Sequence, residues 1–175
     1  VKIPTAKNLR ADEMWGIIEP HAEFEGKTVL DLGCGHGDML GHAWGAGANV
    51  LGIDNNEEQY HSLRESIGTN IDNFSIRQND INYLGDYYRW GDIIFCFSVL
   101  PYLHDPNTVL QWIHQYSDIA FIEVQYANDG PGFTHIHNDD DMKKWLRRIG
   151  WQNVEAIGRT HTQIRPAWRT IWKCT

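Results

Sequence analysis

Cysteine is scarce in this chain of 175 residues: there are three, Cys34, Cys96 and Cys174, set far apart. Three separated cysteines make neither a disulfide framework nor a zinc-binding pattern. No apolar run approaches the length needed to cross a bilayer, and nothing reads as a signal peptide. A cytoplasmic setting without membrane association is therefore expected. Positive charge is short as well. Lys and Arg together number 15 against 23 Asp and Glu, for a net charge of −8. That balance works against a nonspecific grip on a nucleic-acid backbone, although Arg147, Arg148, Arg159, Arg165 and Arg169 gather in the C-terminal third. Repeats, low-complexity tracts and linkers are missing, so one domain over residues 1–175 is expected. The first residue is Val1 rather than Met, which is compatible with a piece of a longer protein.

What is present alternates between strand and helix patterns, the mark of a parallel sheet built from βαβ units. Residues 7–19 read as an amphipathic lead-in helix stopped by Pro20. Apolar runs at 27–32, 49–53, 74–78, 92–97 and 118–124 read as five parallel strands. Between them lie helices at 37–45, from Asn56 to about Ile67, and from Asp105-Pro106 onward. Asp caps such a helix and Pro suits its first position. A last helix starts at Asn138–Asp141 and ends at Gly150. Two closing runs, 152–158 and 167–174, have no room for a helix between them and should pair antiparallel.

The informative stretch is Val29-Leu30-Asp31-Leu32-Gly33-Cys34-Gly35-His36-Gly37. An apolar strand runs into glycines at every second position. Such a turn lets a ligand lie directly on the backbone, with the N–H groups of the next helix aimed at it. The spacing is Gly-x-Gly-x-Gly. Asp38 stands where a Gly-x-Gly-x-x-Gly pattern needs its last glycine, which disfavours a pyrophosphate cofactor. Asp31 suits the ammonium of an amino-acid ligand. Asp54, closing the second strand, suits both hydroxyls of a ribose.

These residues resemble the class I S-adenosylmethionine-dependent methyltransferases, most closely in the style of those acting on small molecules. The glycine stretch is similar to that family's first motif and Asp54 to its second. Asn79-Asp80-Ile81 is similar to the segment that holds adenine, and Phe97-Ser98-Val99-Leu100 to the fourth motif. The resemblance spans nearly the whole chain. It implies a Rossmann-like α/β/α sandwich, with a mostly parallel seven-stranded sheet and an antiparallel C-terminal strand. It also implies S-adenosylmethionine as cofactor and S-adenosylhomocysteine as product. By the same resemblance, Gly33, Cys34, Gly35 and Gly37 line the methionine and ribose parts, with Asp31 at the ammonium. Asp54 and Asn55 serve the ribose and adenine, Asp80 and Ile81 the adenine, and Phe97 and Ser98 the methyl end.

The acceptor side is less legible. Methyl transfer from a sulfonium needs alignment and dryness more than a fixed catalytic group. A base is required only if the acceptor must lose a proton. Candidates after the fourth and fifth strands are His104 as base, with Tyr102 and Glu123 in the acceptor pocket; Tyr126, His135 and His137 are further options. The competing and more common reading of His104 is a plain cap or packing role at a helix start. His135 and His137 beside Asp139–Asp141 could suggest a metal, but three acids ahead of an apolar helix favour a cap, and no metal is expected. Residues 126–138 could serve as a short lid, with Gly130 and Gly132 in it. Motifs associated with methylation of nucleobase amines or of cytosine C5 are absent. A small-molecule acceptor is therefore expected, with nucleic acid or protein as the alternative, or a non-catalytic cofactor-binding partner.

Overall fold

The computed structural model describes residues 9–67, 71–84, 91–126, 136–161 and 168–175. Its elements run in the order α1 (Leu9–Ile18), β1 (Thr28–Leu32), α2 (Asp38–Gly45), β2 (Asn49–Asp54), α3 (Glu57–Ile67), β3 (Phe74–Gln78), β4 (Ile93–Phe97), α4 (Pro106–Tyr116), β5 (Ile119–Glu123), α5 (Asp139–Ile149), β6 (Val154–His161) and β7 (Trp168–Cys174). Short 3-10 turns occupy Glu19–His21, Ile81–Tyr83 and Leu100–Tyr102. The lead-in helix ends where expected, because Pro20 sits in the turn that follows it.

The strands form one sheet in the order β3-β2-β1-β4-β5-β7-β6. The first five are parallel, and β7 runs antiparallel to both β5 and β6. The expected mostly parallel seven-stranded sheet with its antiparallel C-terminal strand is thus observed. Period-two alternation assigns side chains to two cores. Val29, Ile93, Phe95 and Phe121 face α1 and α2. Leu30, Leu32, Ile94, Cys96 and Ile122 face α4 and α5. These three layers leave β1 with β2 on one side and β4 on the other, so strand order reverses there. The crevice beyond the carboxyl ends at such a reversal is where open α/β sheets hold ligands.

One boundary differs from the sequence reading. β6 extends to His161, beyond the expected Gly158. An irregularity in register between Ala156 and Gly158 lets it continue, and Gly158 is required there because a Cβ would lie 2.6 Å from Ile17.

Candidate functional site

At the reversal, the chain leaving β1 makes its turn through backbone clasps. The N–H groups of Gly33 and Cys34 both donate to the carbonyl of Ile53, at 2.7 and 3.1 Å, and that of Gly37 donates to Cys34 at 2.8 Å. Gly33 and Gly37 have φ of 77° and 78°, a region that side-chain-bearing residues avoid. The conformation is not the only constraint. A Cβ on Gly33 would lie 2.3 Å from Val99 Cγ2, and one on Gly37 would lie 2.8 Å from Leu63. Gly35 differs, since its nearest neighbour would be Gln59 at 3.7 Å, so its outer face is clear. Helix α2 then starts with Gly37 as N-cap and no side-chain cap bond from it. Cys34 packs onto β2, where Gly52 makes room for its Sγ. Burial pushes its thiol above the ordinary range, so it is a packing residue rather than a nucleophile.

Two carboxylates flank this turn. Asp54 accepts from the N–H of Gly35 and of Asn56, both at 2.8 Å. Each of its oxygens keeps a second lone-pair direction. Asp31 is 3 % exposed, and among the described residues no donor reaches its side chain. Burial, and then the nearby Asp54 charge, raise its pKa to about 8. A buried, unsatisfied acid is costly on its own, and an ammonium beside it would remove that cost.

The next two loops are braced together. Asp80 Oδ1 accepts from the backbone N–H and side-chain amide of Asn82. The Asn82 carbonyl oxygen accepts from the His104 N–H at 2.8 Å. Ile81 is buried, while Asn55 is exposed at the head of the turn into α3. Tyr102 is 76 % exposed and His104 is exposed beside it, both on the rim at the carboxyl end of β4. Asp105 caps α4 by accepting from Asn107 and Thr108, so the cap role considered for His104 belongs to its neighbour.

Glu123 is not an open pocket acid. It is fully buried and holds an ion cluster. Arg10 from α1 bonds it through Nη2, Ser98 Oγ donates to it at 2.5 Å, Thr160 at 3.2 Å, and Arg169 Nη1 lies 3.6 Å away. Arg169 also donates to Ser98 Oγ at 2.5 Å and to Gln125 at 2.8 Å. Ser98 is held at φ 59°, unusual for a serine, with its N–H on the Glu123 carbonyl. Phe97 precedes it, half-buried against Phe95. Sequence reasoning named Ser98 and Glu123 but not Arg10, and treated Arg169 only as part of a C-terminal basic group.

Tyr126 donates to Asp139, which also accepts from Thr170 and Arg159. Burial opposes ionisation of Asp139, but these three donors outweigh it and hold its pKa below the usual value. Asn138 caps α5, and His137 is exposed with its N–H on Asp141. The acids after Asn138 therefore act as first-turn and tethering groups. His135, Gly130, Gly132 and most of the 126–138 segment lie outside the described residues.

With the geometry in place, comparison with known proteins is decisive for the family. Residues 11–172 match a family described as a methyltransferase domain. The chain belongs to that methyltransferase family. Relatives include the tRNA U34 carboxymethyltransferase of Alteromonas mediterranea, 25 % identical and covering 95 % of this chain and 57 % of that protein. A protein of the same name from Pseudomonas putida is 46 % identical, covering 93 % and 57 %. The chain thus spans a little over half the length of these relatives. Among solved structures, the magnesium protoporphyrin IX methyltransferase of Synechocystis with bound S-adenosylmethionine superposes with a TM-score of 0.71 at 21 % identity, over 94 % of this chain and 76 % of that one. An S-adenosylmethionine-dependent methyltransferase from Mesorhizobium loti gives 0.70 at 19 %, over 93 % and 97 %. These likenesses establish a shared Rossmann-like methyltransferase fold. Among the described residues, no helix of this methyltransferase domain is long and apolar enough to cross a membrane.

Proposed function

We propose that this methyltransferase domain binds S-adenosylmethionine across Gly33–Gly37 and transfers its methyl to an O, N or C atom of a small molecule. The observation that carries the reading is Asp31, buried with no donor among the described residues, beside the cradle that Gly35 and Asp54 form. The residues present fit the cofactor. Asp31 would take the ammonium, Asp54 the ribose hydroxyls through its remaining lone pairs, and Asp80 Oδ2 with Ile81 the adenine. Phe97 and Ser98 would border the methyl end.

When bound, the cofactor supplies a methyl whose bond to sulfur breaks toward sulfur as the acceptor's lone pair forms the new bond. The chain's own task is then to align the acceptor and exclude water. His104 is the candidate to receive an acceptor proton, with Tyr102 beside it on the rim. Glu123, already shared among Arg10, Ser98, Thr160 and Arg169, does not act as a base in this reading.

A second reading, transfer to a tRNA uridine, is favoured by the names of the relatives. The electrostatics count against it. Net charge is −8, and Arg159 is paired with Asp139. A gel-shift series with unmodified tRNA at low and high salt separates the two readings, since phosphate-driven binding must weaken with salt.

The cofactor assignment is tested by thermal shift with S-adenosylmethionine, S-adenosylhomocysteine, NAD and NADP. Ligands that bind the folded state alone raise the melting temperature. The first two should do so and the last two should not. Asp54→Ala should abolish most of the shift, and an unchanged shift would remove the ribose assignment.

A further inference from the structure

The ion cluster at the ends of β4, β5 and β7 holds two guanidinium groups against one carboxylate. Arg10 and Arg169 are only 24 % and 16 % exposed at the side chain, and Glu123 is fully buried between them. Their described acceptors are Glu123, Ser98 Oγ and Gln125 Oε1, so one positive charge is left over among the described residues. The Nε atoms of both arginines are shielded from water and have no partner. A guanidinium carries five donors in a planar fork that matches an oxyanion. Leaving such donors and an excess cation this deep is costly without a further anion.

Position decides which ligand would supply it. Arg169 is rooted on β7, three strands from β1, which at ordinary strand spacing is roughly 14 Å from the strand that opens the cofactor cradle. Its guanidinium reaches back over β5 to Ser98, the residue after β4. That places it at the end of β4, the strand beside β1, where Phe97 and Ser98 would border the methyl end.

We propose that Arg169, seconded by Arg10, forms a subsite for an oxyanion, a carboxylate or phosphate, carried by the methyl acceptor. The assignment of the anion to the methyl acceptor rests on the cofactor reading, but the anion subsite itself does not. Glu123 is then a positioning residue that fixes both forks and the Ser98 turn, while the spare positive charge selects an acidic acceptor and aligns it by its anion.

Calorimetric titration of sodium acetate and of inorganic phosphate, at ionic strength fixed with sodium chloride, tests this on the protein saturated with S-adenosylhomocysteine. Wild-type protein should bind at least one of the two saturably. Arg169→Gln should weaken that binding tenfold or more, Arg169→Lys should weaken it less, and Arg148→Gln, on the exposed face of α5, should leave it unchanged. The affinity for S-adenosylhomocysteine should change less than threefold in Arg169→Gln. If that variant fails to fold, Arg169→Lys serves alone, with a loss of at least threefold expected because the planar fork is gone.

Absence of saturable anion binding in the wild type would overturn the proposal, as would equal binding in the Arg169 variants. Loss of S-adenosylhomocysteine affinity matching the loss of anion affinity would also overturn it, by assigning the arginines to the cofactor's own carboxylate. If S-adenosylhomocysteine does not bind the wild type, the cofactor reading fails instead, and the same titration on the ligand-free protein still decides whether the anion subsite exists.

Discussion

The two halves of the carboxyl edge are built on different principles. The cradle between β1 and β2 is nearly local. Asp31, the three glycines and Asp54 lie within 24 consecutive residues, and the turn is held by backbone bonds to Ile53. The transfer edge is assembled from afar. Arg10 meets Glu123 across 113 positions, Ser98 across 88, and Arg169 reaches Ser98 across 71. A local motif fixes the shape of the glycine turn, whereas long-range charge pairing fixes the Glu123 cluster, so the second depends on the whole sheet being in place.

The largest break in that comparison comes from Glu123→Ala. It removes the anion that two buried guanidinium groups share, and loss of one partner from such a cluster costs about 3–5 kcal/mol. Chemical denaturation should show that loss. A change under about 1 kcal/mol would mean that the cluster is not under tension and that its arginines are already compensated.

Asp31 gives the cradle a pH dependence. Its folded pKa, about 8, is above the unfolded value of about 3.9. The folded state therefore holds the proton more tightly, and its contribution is complete below about pH 4 and lost as pH rises through 8. Ligand-free protein should lose stability across that window, by at most about 1.4 kcal/mol per pH unit for one proton. Asp31→Asn should flatten the slope, and bound S-adenosylhomocysteine should flatten it too by placing an ammonium beside the acid. An identical slope in the variant would remove Asp31 as its source.

Replacement of Gly33 sharpens the contrast between shape and charge. Gly33→Ala meets both an unfavourable φ of 77° and Val99 at 2.3 Å, whereas Gly26→Ala, at φ 70°, has nothing within 4 Å of the added atom. The first should cost about 2–3 kcal/mol and displace Val99 from the cradle, the second about 1 kcal/mol of backbone strain alone. Equal effects in denaturation would show that conformation, not close approach, sets the glycine requirement.

The difference between local and assembled also explains what the sequence revealed. Periodicity located every strand within a few residues, because apolar runs and punctuation by glycine and proline are local signals. Asp31, Gly33 and Asp54 were legible because the chemistry they suit is written in one stretch. Glu123 reads as a pocket acid in the sequence because it ends the fifth strand at the carboxyl edge of the sheet. Its partners come from α1 and β7, and no spacing rule links residues 10, 123 and 169. The one available hint was a glutamate ending an otherwise buried strand, which demands cationic partners somewhere in the chain.

The smallest effect expected is at the helix cap that follows the transfer edge. Asp105 accepts from Asn107 and Thr108 N–H at 3.1 and 3.2 Å and from Thr108 Oγ1 at 2.6 Å. Those donors lower its pKa, so its contribution persists above the unfolded value and fades only as pH falls through the lowered one. The α4 that it starts buries Val109, Leu110 and Ile113, which limits fraying. Asp105→Ala should lower the melting temperature by a few degrees. It should leave the S-adenosylhomocysteine dissociation constant within twofold, because the cap touches the rim carrying His104 and not the glycine turn. A larger change in that constant, measured by calorimetry, would show that the two halves of the edge are mechanically coupled through the Asn82 brace and that their separation into local and assembled parts is too sharp.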